Sequence, residues 1–172
     1  MDFLVLSRGA SGPSTPADEP GLNERHWSYM DDFADGMTAR GPTLAPDRET
    51  WTGSMHVVSL PSVAGVQAFV SGEPYERAGR FESHRIWRFT NRLGRTMWDH
   101  AGRPDQPRFL VLARQEPVLP DEALIMLGEL STLDGDPAGF ALAVQLPDRS
   151  VLDGPVVGPD AEVHDWEPGG RR

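Results

Sequence analysis

The stretch Asp2-Phe3-Leu4-Val5-Leu6-Ser7-Arg8 returns almost letter for letter as Arg108-Phe109-Leu110-Val111-Leu112-Ala113-Arg114. Each copy carries a short apolar run of strand type. A second echo follows in the same order, Val57-Val58-Ser59-Leu60-Pro61 and then Ala143-Val144-Gln145-Leu146-Pro147. Self-similarity in a fixed order constrains a fold more than composition does, because each copy must build the same supersecondary unit. Two readings stand: chance, since apolar strands of this kind are common, or a tandem of two like halves joined near Asp99 to Pro107.

Composition sets the outer limits. The chain has 172 residues, 38% hydrophobic and 24% charged, enough for one sizeable core or two small ones. Its net charge of −10 repels phosphate backbones and anionic bilayers, so neither nucleic acid nor membrane is expected as a partner. The chain has no Cys, which excludes disulfides, thiolate metal sites and cysteine nucleophiles, and is compatible with a cytoplasmic location. The apolar start, Met1 to Leu6, is short and carries Asp2, unlike a secretory leader.

Along the chain, Phe3 to Leu6 reads as a strand and Ser7 to Pro20 as a long loop, expected to border a pocket. Leu22, His26, Tyr29, Met30, Phe33 and Met37 recur at helical steps, and Gly41-Pro42 reads as the stop that ends this helix. Ser54 to Leu60 reads as a strand, Ser62 to Val70 as a helix capped by Ser62, and Ser83 to Phe89 as a strand. The second half is expected to hold a helix over Asp121 to Leu130 and strands over Gly139 to Leu146 and Ala161 to Trp166.

Several side chains could carry chemistry. His26 lies on the apolar stripe of its helix, where burial would lower its pKa and leave a neutral imidazole able to act as a base, although a lone His on such a face is more often a hydrogen-bonded core residue. Glu73 could orient that imidazole or act as the partner acid; otherwise it is a solvated carboxylate at a helix end. Arg25 could hold an acidic ligand or be a solvated shoulder residue. His84 and His56 alternate onto sheet faces, where each could line a pocket, and Arg85 and Arg88 could focus positive charge. No His-x-His or His-x-x-x-His pair and no nucleotide cradle occurs, so no metal and no cofactor is expected.

Taken together, His26 in the first helix, Gly41-Pro42 after it, Gly53-Ser54 before the next strand and the turn Glu73-Pro74-Tyr75-Glu76-Arg77-Ala78-Gly79 resemble the YciI-like (YCII-related) family of the dimeric α+β barrel superfamily. The resemblance covers about residues 1 to 90. It implies an α+β, ferredoxin-like fold and a pocket site in which His26 and Glu73 form the catalytic pair, with Tyr75 and Ser54 as candidate ligand contacts; Arg25, and His84 where family members tend to be apolar, are added as candidate contacts from the residues themselves. The family normally has Asp where this chain has Glu73, one methylene longer. Family members include a dehydrochlorinase acting on chlorinated hydroxyquinols. The implied function is therefore a cofactor-independent lyase or isomerase-type enzyme using a His base on a small aromatic or carboxylated molecule, or else a non-catalytic ligand-binding or regulatory module.

Combined with the echo, the resemblance implies two ferredoxin-like halves, 1–98 and 107–168, with 99–106 as linker and 169–172 as tail, packed as a pseudo-dimer. A homodimer of the chain is the alternative assembly. The second half lacks counterparts of His26, Gly41-Pro42 and Glu73-Pro74-Tyr75, so it is expected to be degenerate and structural, covering the apolar sheet face of the first half.

Overall fold

The computed structural model describes residues 1–11 and 19–170. Most of the Ser7 to Pro20 loop expected to border the pocket lies outside them, and its first residues continue the opening strand to Gly9. The elements of the first half are β1 (Asp2–Gly9), α1 (Leu22–Asp31), β2 (Met37–Leu44), β3 (Trp51–Ser59), α2 (Val63–Gly72), the short α3 (Pro74–Arg77) and β4 (Phe81–Asn91). The second half contributes β5 (Arg108–Ala113), β6 (Leu124–Ser131), β7 (Pro137–Gln145) and β8 (Glu162–Trp166), with only 3-10 turns between them. All strand pairs are antiparallel and close into a barrel of order β1-β3-β2-β8-β5-β7-β6-β4.

Alternation along each strand separates two kinds of core. Leu4, Leu6, Met55, Val57, Leu110, Ala141, Ala143 and Trp166 fill the barrel interior together, so side chains of both halves share one core. The opposite face of β1 and β3, with Phe3, Val5 and Val58, packs under the helices against Met30, Val66 and Phe69. Ser62 caps α2 by accepting from the Gly65 amide, as its position before an apolar helix predicts.

Two elements differ from the sequence reading. The helical stripe stops at Asp31, and Met37 opens β2, so Gly41-Pro42 sits inside a strand instead of ending a helix. Pro42 is tolerated because its missing N–H faces away from β3: its carbonyl, on the same side, accepts from the Glu167 amide. Likewise Asp121 to Leu130 forms one 3-10 turn and then β6. Both faces of that segment are buried, Leu124 on the outer core and Met126 and Leu130 inside the barrel, and such a run has no periodicity that separates helix from strand.

The strands before and after the 99–106 connection share several backbone features. Each set of four lies in the order fourth, first, third, second. Phe3 faces Val58 and Phe109 faces Val144 in their ladders. A bulge interrupts β2 against β3 between Met37 and Ala39, and β6 against β7 between Leu124 and Met126. Gly53 and Gly139 lie so close to the neighbouring strand that a Cβ would meet the Ser7 or Ala113 carbonyl oxygen at 2.0 or 2.3 Å.

Candidate active site

A cavity of about 410 Å³ opens on the outer face of β2 and β3, beneath α1 and α3. His26 enters it from the middle of α1, its side chain 13% exposed, and its Nδ1 lies 2.6 Å from Glu73 Oε1. Glu73 is 4% exposed and caps α3, its second oxygen accepting the Glu76 amide at 3.0 Å. An ionised carboxylate can only accept, so Nδ1 of His26 is the donor in this contact, and in the neutral imidazole the lone pair is then on Nε2. The extra methylene of Glu73 therefore does not prevent a His–carboxylate pair.

Tyr75 stacks on His26 with ring centroids 4.2 Å apart and planes within 9°. Its hydroxyl donates to Asn23 Oδ1, and burial, reinforced by the Glu73 charge, pushes its pKa up to about 12, so the phenol stays protonated. Trp51 borders the same space, lying over Gly9, where a Cβ would stand 2.4 Å from its ring. Ser54 and His56, on one face of β3, line the floor, and the edge of His56 approaches His26 at a centroid distance of 6.1 Å.

Four of the six residues singled out from the sequence, His26, Glu73, Tyr75 and Ser54, thus meet at or directly beside one cavity. Arg25 and His84 do not. Arg25 is exposed on the outer side of α1 and pairs with Glu19 at 3.1 Å. His84 lies between Ser7 Oγ, 2.8 Å from its Nδ1, and Glu76 Oε2, 2.9 Å from its Nε2, and it is a structural link between β1, β4 and α3. Arg85 is likewise engaged elsewhere, forming a two-bond ion pair with Glu162, and Arg88 donates to the Leu133 carbonyl.

Arg40 and the segment Pro168-Gly169-Gly170 are cavity residues that sequence reasoning missed. Arg40 is hidden in the sequence because Gly41-Pro42 reads as a helix end, which masks β2. The segment after β8 reads as a tail, yet it runs along β2: the Glu167 amide donates to the Pro42 carbonyl at 3.3 Å and the Gly169 amide to the Arg40 carbonyl at 2.9 Å. Among the described residues no group of three or more His, Asp or Glu is arranged to hold a metal, and no helix is long and apolar enough to cross a membrane.

A closed antiparallel barrel with helices laid over one side, and a His–carboxylate pair beneath them, defines an α+β barrel protein. The YCII-related domain model matches residues 1–90, and the chain belongs to that family. Among solved structures, a "putative chlorite dismutase" superposes with a TM-score of 0.53 at 11% identity, over 96% of this chain and 94% of the other. The 5-chloro-2-hydroxyhydroquinone dehydrochlorinase of Burkholderia phenoliruptrix, solved with 2,5-dihydroxybenzoquinone, gives a TM-score of 0.47 at 23% identity, over 55% of this chain and 99% of that one. No curated protein sequence matches the chain.

Proposed function

We propose that the protein is a cofactor-independent lyase or isomerase-type enzyme in which His26 is the general base toward a small aromatic or carboxylated molecule. The single observation behind this is the 2.6 Å His26–Glu73 contact at a cavity sized for such a ligand. Glu73 fixes the tautomer and stabilises the imidazolium that forms once Nε2 has taken a proton. Stacking on Tyr75 holds the ring plane, and a protonated Tyr75 adds no competing base. After proton removal the freed electron pair either expels a leaving group from the adjacent atom or shifts a double bond, and the imidazolium returns its proton to the leaving group or to a new position.

We further infer that residues 1–98 and 107–168 are tandem ferredoxin-like halves forming an intrachain pseudo-dimer. The repeated strand order, bulge and glycine contacts support this. The 99–106 connection is held by Gln145, whose Oε1 accepts the Arg103 amide at 2.7 Å and whose amide donates to the Gln106 carbonyl at 2.9 Å.

His26→Gln tests the enzyme reading. With a turnover assay found by screening phenols and aromatic acids, the variant is expected to lose roughly 10²–10⁴-fold in kcat while keeping its fold. Undiminished turnover in His26→Gln removes the base assignment. Specific binding without any turnover across the screen favours the non-catalytic module, in which the His26–Glu73 pair only shapes the cavity.

A further inference from the structure

Two buried side chains at the floor of the cavity have no part in the proton transfer described above. Arg40 on β2 and His56 on β3 are direct cross-strand partners, so their side chains leave the sheet on the same face. Both line the cavity and both are only 4% exposed. Ser54, two residues before His56 on that face, is 5% exposed, and its hydroxyl has no hydrogen-bond partner among the described residues.

Burying a guanidinium is costly unless negative charge or oriented acceptors meet it. Asp31 approaches Arg40 at 4.0 Å from a half-exposed position, and the Trp98 ring lies 5.9 Å from the guanidinium carbon. These hold the cation in place, yet it still forms part of a cavity wall in a chain whose net charge is −10. The remaining walls are largely apolar, with Trp27, Trp51, Tyr75, Pro42 and Leu44, and besides His26 their further polar side chains are Asn23 and the exposed Glu49. A localised positive charge with a free hydroxyl and an imidazole beside it, set in an aromatic enclosure, is complementary to a planar ring carrying one anionic oxygen group.

We propose that Arg40, His56 and Ser54 form an anion subsite that holds the carboxylate or phenolate oxygen of a planar organic acid, with its ring against Trp51 and Tyr75. Arg40 supplies the charge and Ser54 a hydroxyl donor. His56 supplies one N–H, since burial, then the neighbouring His26 and Arg40 charges, keep its pKa down at about 3 and the ring neutral. The 6.1 Å between the His26 and His56 rings spaces base and anion subsite by about one small ring. This deepens the enzyme reading by naming its substrate class, but it does not require His26 to act as a base.

The test is titration calorimetry on the full chain with matched probes: benzoate against benzamide for a carboxylate, and 4-nitrophenolate against 4-nitroanisole for a phenolate. At least one anion is expected to bind the wild type about tenfold or more tightly than its neutral partner, and the pair that shows it identifies the oxygen group. Arg40→Met is expected to abolish that preference while leaving the neutral probe within about threefold, and Arg40→Lys to retain part of it. If Arg40→Met fails to fold, Ser54→Ala and His56→Phe are expected to narrow the preference several-fold. His26→Gln is expected to keep the preference while losing turnover, so a failed enzyme reading and a failed subsite give different results. Equal binding of anion and neutral partner by the wild type, a preference that survives Arg40→Met, or no anion binding up to about 10 mM would each overturn the proposal.

Discussion

At the residue scale, His56 shows how burial converts into a pH dependence. Its pKa is lowered to about 3, by burial first and then by the His26 and Arg40 charges, against 6.5 for an ordinary imidazole. Between those two pH values the unfolded chain binds a proton that the folded chain refuses, so stability falls as pH drops from about 6.5 towards about 3. Above that window His56 contributes no slope. The wild type is expected to lose up to about 1.4 kcal/mol per pH unit through this one group, and His56→Gln to have a shallower acid limb by about one proton. Urea midpoints measured across the acid range check this; identical limbs would show that His56 is not held neutral. The His26–Glu73 pair was legible in the sequence through the family resemblance, whose motifs hold the helix His and the acid-Pro-Tyr turn; the apolar stripe alone fits a core histidine equally well. Arg40 was not legible, because its burial depends on a cross-strand partner and on a segment more than a hundred residues away.

At the element scale, β2 is where local sequence and tertiary structure disagree. Gly-Pro is a strong local stop signal, but here each residue answers to a neighbour in space. Pro42 turns its missing N–H away from the β3 ladder. Gly41 admits the segment after β8: a Cβ there would stand 1.9 Å from the Glu167 carbonyl oxygen and 2.9 Å from the Gly169 amide nitrogen. Gly41→Ala is therefore expected to push the Glu167 to Gly170 segment off β2 and destabilise the fold by roughly 1–3 kcal/mol. It should also weaken ligand binding, since Pro168, Gly169 and Gly170 are part of the cavity wall. Chemical denaturation with ligand titration on the same variant measures both; unchanged values would show that the segment carries no weight. The helical elements around α2 were readable from periodicity and capping, whereas β6, buried on both faces, was not.

At the scale of the whole molecule, the barrel closes only because each half supplies the edges the other lacks. β4 pairs with β6 and β2 with β8, so the outer strands of the first half are covered by the second. Residues 1–98 alone would present both edges and the apolar face of Leu4, Met55 and Val57 to water. Such a fragment is expected to pair with a second copy of itself, while the full chain, its barrel already closed, is expected to stay monomeric. Analytical ultracentrifugation of both separates the cases; a monodisperse monomeric fragment would count against the tandem reading. The echo of Phe3-Leu4-Val5-Leu6 in Phe109-Leu110-Val111-Leu112 falls on β1 and β5, the opening strands of the two proposed halves. That the described residues after β4 form no α-helix was not visible, because Leu124 to Leu130 is apolar enough for either state.

The tryptophans are distributed so that the protein carries its own optical gauges. Of the five, Trp27 and Trp51 border the cavity, whereas Trp166 is sealed in the barrel interior. Light emitted by the first two changes when a ring slides in beside them, while the third stays dark to ligand and shifts only when the barrel opens. Occupancy and unfolding can then be followed in one cuvette, with no label attached.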